Sequence, residues 1–113
     1  MPHIVTLEVT KRNFTLLEMA REKRFTDTTF HCSNGELVYA HQLILMSSSI
    51  YFQDLEKDNM ELHDLTIFIP GFSRHCVDFL MELFYVGSVV IKDENLNEFN
   101  NLLIFFRVKE MNE

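Results

Sequence analysis

From residue 5 to residue 10, apolar and polar positions alternate. Val5, Leu7 and Val9 fall on one side and Thr6, Glu8 and Thr10 on the other, as in a half-buried strand. Lys11-Arg12-Asn13 interrupts that period. Phe14, Leu17 and Ala20 then recur at helical spacing, and Thr15-x-x-Glu18 spells a capping box, with Asn13 or Thr15 expected as the cap. The helix is expected to run out in Arg21, Lys23 and Arg24, where cations suit the carbonyl end of the dipole. Two β-type runs, residues 28–32 and 37–39, flank Asn34-Gly35, a pair that accepts the positive φ of a tight turn, so a hairpin is expected.

Residues 41–55 read as two short helices, with Ser47-Ser48-Ser49 ending one and capping the next. Residues 66–69 form a short, fully apolar strand stopped by Pro70-Gly71. Ser73 is placed to cap a helix whose Val77, Leu80, Met81 and Phe84 make one apolar stripe and whose end is Gly87. Val89-Val90-Ile91 is a second short β run. Asp93 is expected to cap a final helix carrying Leu96, Phe99, Leu103 and Phe106. Short strands among about five helices, with no repeated strand–helix–strand unit, give an α+β fold. No internal repeat or linker-like tract divides the chain, so residues 1–113 are expected to form a single domain, with 1–12 a leading strand and turn and 13–113 the core.

Composition sharpens this picture in two places. Ten basic residues against seventeen acidic ones give a net charge of −7, which repels phosphate backbones and argues against direct nucleic-acid binding. Eleven phenylalanines and six methionines are a large apolar supply for 113 residues. Either the core is unusually aromatic or some of that surface is covered by a second chain. The longest uninterrupted apolar run, residues 102–106, is far too short for a membrane span, and no signal peptide is recognisable.

Candidate chemistry is sparse. Five histidines and two cysteines include the adjacent pairs His31-Cys32 and His75-Cys76, but neither Cys-x-x-Cys nor His-x-x-x-His occurs, so no metal site is expected. Cys32 and Cys76 read as reduced, buried, small apolar residues. There is no glycine-rich phosphate loop and no carboxylate pair in an apolar setting. No catalytic residue, cofactor or metal is expected, and the chain does not read as an enzyme; a metal-dependent or thiol enzyme is the reading left over from that class.

The segments Phe25-Thr26-Asp27-Thr28-Thr29-Phe30, Ala40-His41-Gln42-Leu43 with Ser49 and Tyr51-Phe52, and Leu80-Met81-Glu82-Leu83-Phe84-Tyr85-Val86-Gly87 resemble, in order, motifs of the BTB/POZ family. The closing stretch from Glu94 to Lys109 looks like that family's final helices. The resemblance implies a non-catalytic α+β interaction module, with His41, Ser49, Tyr51, Phe52, Tyr85 and Gly87 as structural positions. His41 in particular reads as a histidine hydrogen-bonded within the hairpin-to-helix corner.

The leading strand places the chain nearest the subgroup found in transcription regulators, where that strand is exchanged between two subunits. The implied dimer interface comprises Val5, Leu7, Val9, Phe14, Leu17 and Ala20, with Val89 and Ile91 receiving the exchanged strand. The expected state is a homodimer, or a heterodimer with another BTB domain, within a longer nuclear protein. Corepressor or architectural proteins are the expected further partners, with no nucleic acid and no membrane. Asp27 matches the acid of the family's charged pocket, but Gln42 stands where a basic residue is usual, so Asp27 needs another partner or a hydrogen bond from Gln42. The alternative within the family is a substrate adaptor of a cullin ubiquitin ligase, using the surface around residues 55–63.

Overall fold

The computed structural model describes residues 10–58 and 63–109. Eight regular elements follow one another: α1 (Thr10–Arg21), β1 (Thr28–His31), β2 (Leu37–Ala40), α2 (Gln42–Ser48), α3 (Ile50–Asp58), β3 (Leu65–Phe68), α4 (Arg74–Val86) and α5 (Asp93–Phe105). The strands form one sheet in the order β2-β1-β3. β1 pairs antiparallel with β2, Phe30 opposite Val38, and parallel with β3, Phe30 opposite Ile67. The expected hairpin is present, its turn a single 3-10 turn at Ser33–Gly35 in which Asn34 and Gly35 both take positive φ.

One face of this small sheet supplies Phe30, Val38, Ala40 and Ile67 to a core completed by Leu17 and Ala20 of α1, Leu45, Phe52, the α4 stripe, and Phe99, Leu102 and Phe106. α1 packs against α4 and β2, and α4 packs against α5. The aromatic surplus is partly explained here: Phe52 stacks on Phe106 at 5.2 Å, and Phe30 meets both edge-on at 6.0 and 5.8 Å.

Several boundaries differ from the sequence reading, each for a local reason. The alternating run at residues 5–9 lies outside the described residues, but Thr10 already belongs to α1. Lys11-Arg12-Asn13 therefore continues a helix instead of breaking a strand, and neither Asn13 nor Thr15 is its cap. The other end of α1 falls at Arg21, in the basic cluster as expected, with a Schellman arrangement: Arg24 N–H donates to Met19 O at 2.7 Å and Lys23 N–H to Ala20 O at 3.0 Å, with Lys23 in the left-handed conformation usually left to glycine. α5 ends the same way around Arg107, whose φ is 47°.

β3 is not buried on both faces. Ile67 is inside, while Thr66 and Phe68 face outward, Phe68 lying against the His31 ring at 4.6 Å. Residues 89–91, expected as a second β run, belong to no strand and form no ladder with any described residue. Lys92, not Asp93, is the N-cap of α5, and Asp93 and Glu94 fill its first turn, where carboxylates suit the dipole. The buried stripe of α5 runs through Phe99, Leu102 and Phe106, and Leu96 is exposed. Ser73 caps α4 as expected, its Oγ accepting from Cys76 N–H at 3.2 Å, and Gly87 ends the helix at φ 97°.

Candidate functional site

Three segments remote in sequence converge where α2 begins. His41 N–H donates to the Tyr85 hydroxyl at 2.8 Å, and His41 Nδ1 lies 2.7 Å from the same oxygen. His41 Nε2 lies 3.0 Å from the carbonyl oxygen of Arg24. A carbonyl only accepts, so Nε2 carries the ring proton and Nδ1 accepts the hydroxyl proton of Tyr85. Burial pushes the Tyr85 phenol well above its ordinary range, which keeps it a donor. Both ring nitrogens are thus engaged inside the chain, leaving no lone pair for a metal or a substrate proton.

One residue further on, Asp27 Oδ1 accepts Gln42 N–H at 2.7 Å. Asp27 therefore caps α2 from outside the helix, placing its carboxylate at the positive end of the dipole. The buried side-chain amide of Gln42 donates to Asp27 O at 2.9 Å and to His63 O at 2.7 Å. Asp27 and Gln42 are thus brought together. The carboxylate is met by the backbone of residue 42, and the neutral amide ties the strand ends on either side.

Ser49 separates α2 from α3 and is fully buried. Its hydroxyl donates to Phe106 O at 2.6 Å and accepts Phe52 N–H at 3.3 Å. Tyr51 packs edge-on against Phe106, and Arg107 reaches Asp54 Oδ2 at 2.9 Å. Ser49, Tyr51 and Phe52 therefore lock α3 onto the end of α5.

The residues expected at a subunit interface fall into three groups. Val5, Leu7 and Val9 lie outside the described residues. Leu17 and Ala20 are 2% and 1% exposed within the single chain, so their side chains are spent on its own core. Phe14 remains 47% exposed, and Val89 and Ile91 are half-buried on either side of Val90, which is 87% exposed. Sequence reasoning passed over Phe25 and Leu43, 82% and 77% exposed. No local pattern marks either: the polar Gln42 beside Leu43 is itself buried, and Phe25 is held at φ 61° beyond the Schellman turn.

The thiols are not placed for reactivity. Cys32 is pushed up to about 11 by burial first and by Asp78 and Glu36 next, and burial raises Cys76 as well. Among the described residues, no cluster of three histidine, cysteine or acidic side chains could hold a metal ion. No helix among them is long and apolar enough to cross a membrane.

Comparison with known proteins agrees with this geometry. The BTB/POZ domain model matches residues 16–113. The chain is 32% identical over 92 residues to the Drosophila melanogaster Longitudinals lacking protein-like, covering 81% of this chain and 71% of that protein. It is 28% identical over 85 residues to Transcription factor Ken of the same organism, covering 74% of this chain but only 14% of that protein. The solved BTB domain of zebrafish PATZ1 superposes with a TM-score of 0.74 over 96% of this chain and 89% of that one at 15% identity, a likeness of fold. With the hairpin, the paired short helices and the histidine–tyrosine corner in place, the chain belongs to the BTB/POZ domain family.

Proposed function

We propose that this chain is the non-catalytic, dimerising interaction module of a nuclear transcription regulator. The observation that carries the reading is its similarity to Transcription factor Ken over a span that makes up only 14% of that protein. In such a protein a domain of this kind supplies contacts while other segments supply the remaining activities. BTB/POZ domains in general mediate dimerisation and protein interactions. The chemistry of this chain supports the same role: its thiols are buried and held protonated, and its corner histidine is engaged on both sides.

The dimer surface consists of the alternating run at residues 5–9, Phe14 on α1, and residues 89–91. Val90 and Phe14 are apolar groups that a monomer leaves in water. Exchange of the leading strand onto residues 89–91 gives both runs a ladder partner. Asp27 is satisfied by Gln42 within one chain, so a partner that relies on a basic side chain at position 42 finds a neutral amide there.

Light scattering of the isolated chain at micromolar concentration tests the proposal. Twice the single-chain mass is expected, falling when residues 1–9 are removed or with Val90→Asp. A single-chain mass for the unaltered protein would overturn it.

A further inference from the structure

We propose that the outer edge of β2 is a second docking site, distinct from the dimer surface, for an extended acidic peptide with apolar side chains at alternate positions. The site deepens the interaction-module reading but does not depend on dimerisation. β2 is an outer strand of the sheet. Cys32 N–H donates to Glu36 O at 2.7 Å and Asp27 N–H to Ala40 O at 3.1 Å, so residues 36 and 40 direct their carbonyls at β1. By the alternation of an antiparallel ladder, Leu37 and Tyr39 point their N–H and C=O groups the other way. No described residue hydrogen-bonds those outward groups. An edge of that kind is a template for an added strand.

Beside this edge a cavity of about 90 Å³ opens between α1, β2 and α4. Its floor is apolar, formed by the buried Leu17, Ala20, Val38 and Met81. The volume is below the ~150 Å³ that accommodates benzene and suits one branched aliphatic side chain. Arg21 and Arg74 stand on its rim, and Lys23 lies over the Tyr39 ring at 5.1 Å. Two acids face the same region. Asp78 is already engaged, 3.5 Å from Arg74 Nε, and Glu36 sits at the hairpin end. Three cations against two acids make this a locally positive edge on a chain of net charge −7. A second copy of β2 would bring the same three cations against it, so an acidic strand is the better complement.

The test is a fluorescein-labelled nine-residue peptide of alternating glutamate and valine, titrated against the whole chain by anisotropy, with a lysine–valine peptide as control. Saturable binding at least tenfold tighter than the control is expected. Combining Arg21→Glu with Arg74→Glu, both on exposed side chains, should weaken binding at least tenfold. Tyr39→Pro removes an outward N–H that β1 does not use, and should abolish binding. Circular dichroism melts confirm that the variants fold. Absence of saturable binding, equal affinity for both peptides, or affinity unchanged in the double arginine variant would overturn the site. So would a mass above the dimer that Tyr39→Pro lowers, which would assign the edge to a second copy. A peptide that fails to bind a chain of dimer mass defeats this proposal alone; a peptide that binds a chain of monomer mass defeats only the dimer.

Discussion

Tyr85 and His41, 44 residues apart, are joined by two hydrogen bonds: the hydroxyl accepts the His41 N–H at 2.8 Å and donates to Nδ1 at 2.7 Å. Through Nε2 the same ring holds the carbonyl of Arg24, so the end of α4, the start of α2 and the loop before β1 share one junction. Tyr85→Phe keeps the ring but deletes both bonds, leaving a backbone N–H and an imidazole nitrogen unsatisfied. The expected loss is about 2–3 kcal/mol, read as a lower urea midpoint at unchanged slope.

Asp27→Ala removes the acceptor that caps α2 from across the hairpin. A loss of about 1–2 kcal/mol is expected in the same urea experiment. Asp27→Asn keeps an oxygen at the cap and should recover part of it. Equal losses in the two variants would show that the bond to Gln42 N–H is not the source.

Cys32 gives a pH dependence of defined sign. Its thiol is raised from 9.0 to about 11 in the folded chain, so below pH 9 both folded and unfolded forms are protonated and nothing changes. Between pH 9 and pH 11 the unfolded chain ionises first, and stability falls as pH rises. Wild type should lose on the order of 2 kcal/mol more than Cys32→Ala across that window. Melts of the two proteins from pH 8 to pH 11 check it, and parallel curves would contradict the burial of this thiol.

Phe106 is the ring on which the aromatic core closes, in contact with Phe30, Tyr51 and Phe52, while its carbonyl holds Ser49. Phe106→Ala is expected to cost about 3–5 kcal/mol. Ser49→Ala, which leaves the rings and removes only the hydroxyl, is expected to cost about 1–3 kcal/mol. Thermal melts rank the pair, and a larger effect for Ser49→Ala would reverse the assignment of rings over hydroxyl as the main tie.

Much of the local structure is legible in the amino-acid order because its causes are local. Asn34-Gly35 fixes the hairpin, Ser73 and Gly87 bound α4, and the spacing of Val77, Leu80, Met81 and Phe84 names the buried face of that helix. The basic cluster marks the end of α1 at Arg21 without the usual glycine, Lys23 taking the left-handed position. The misreading at the start of that helix is local as well. At α1 the run Thr10-Lys11-Arg12-Asn13 contains no residue that forbids a helix, and α1 carries through it.

By itself, then, the sequence determined the hairpin, the order of the helices, the apolar face of α4, and the motifs that mark the family. Only the tertiary structure decided which faces meet. It set Tyr85 against His41, gave the α2 cap to Asp27, and turned Leu17 and Ala20 into the chain's own core while leaving Phe14 and Val90 in water. Periodicity reports that a residue points to one side of its helix or strand. What lies on that side is set by the packing of segments tens of residues away, and no local pattern encodes that distance.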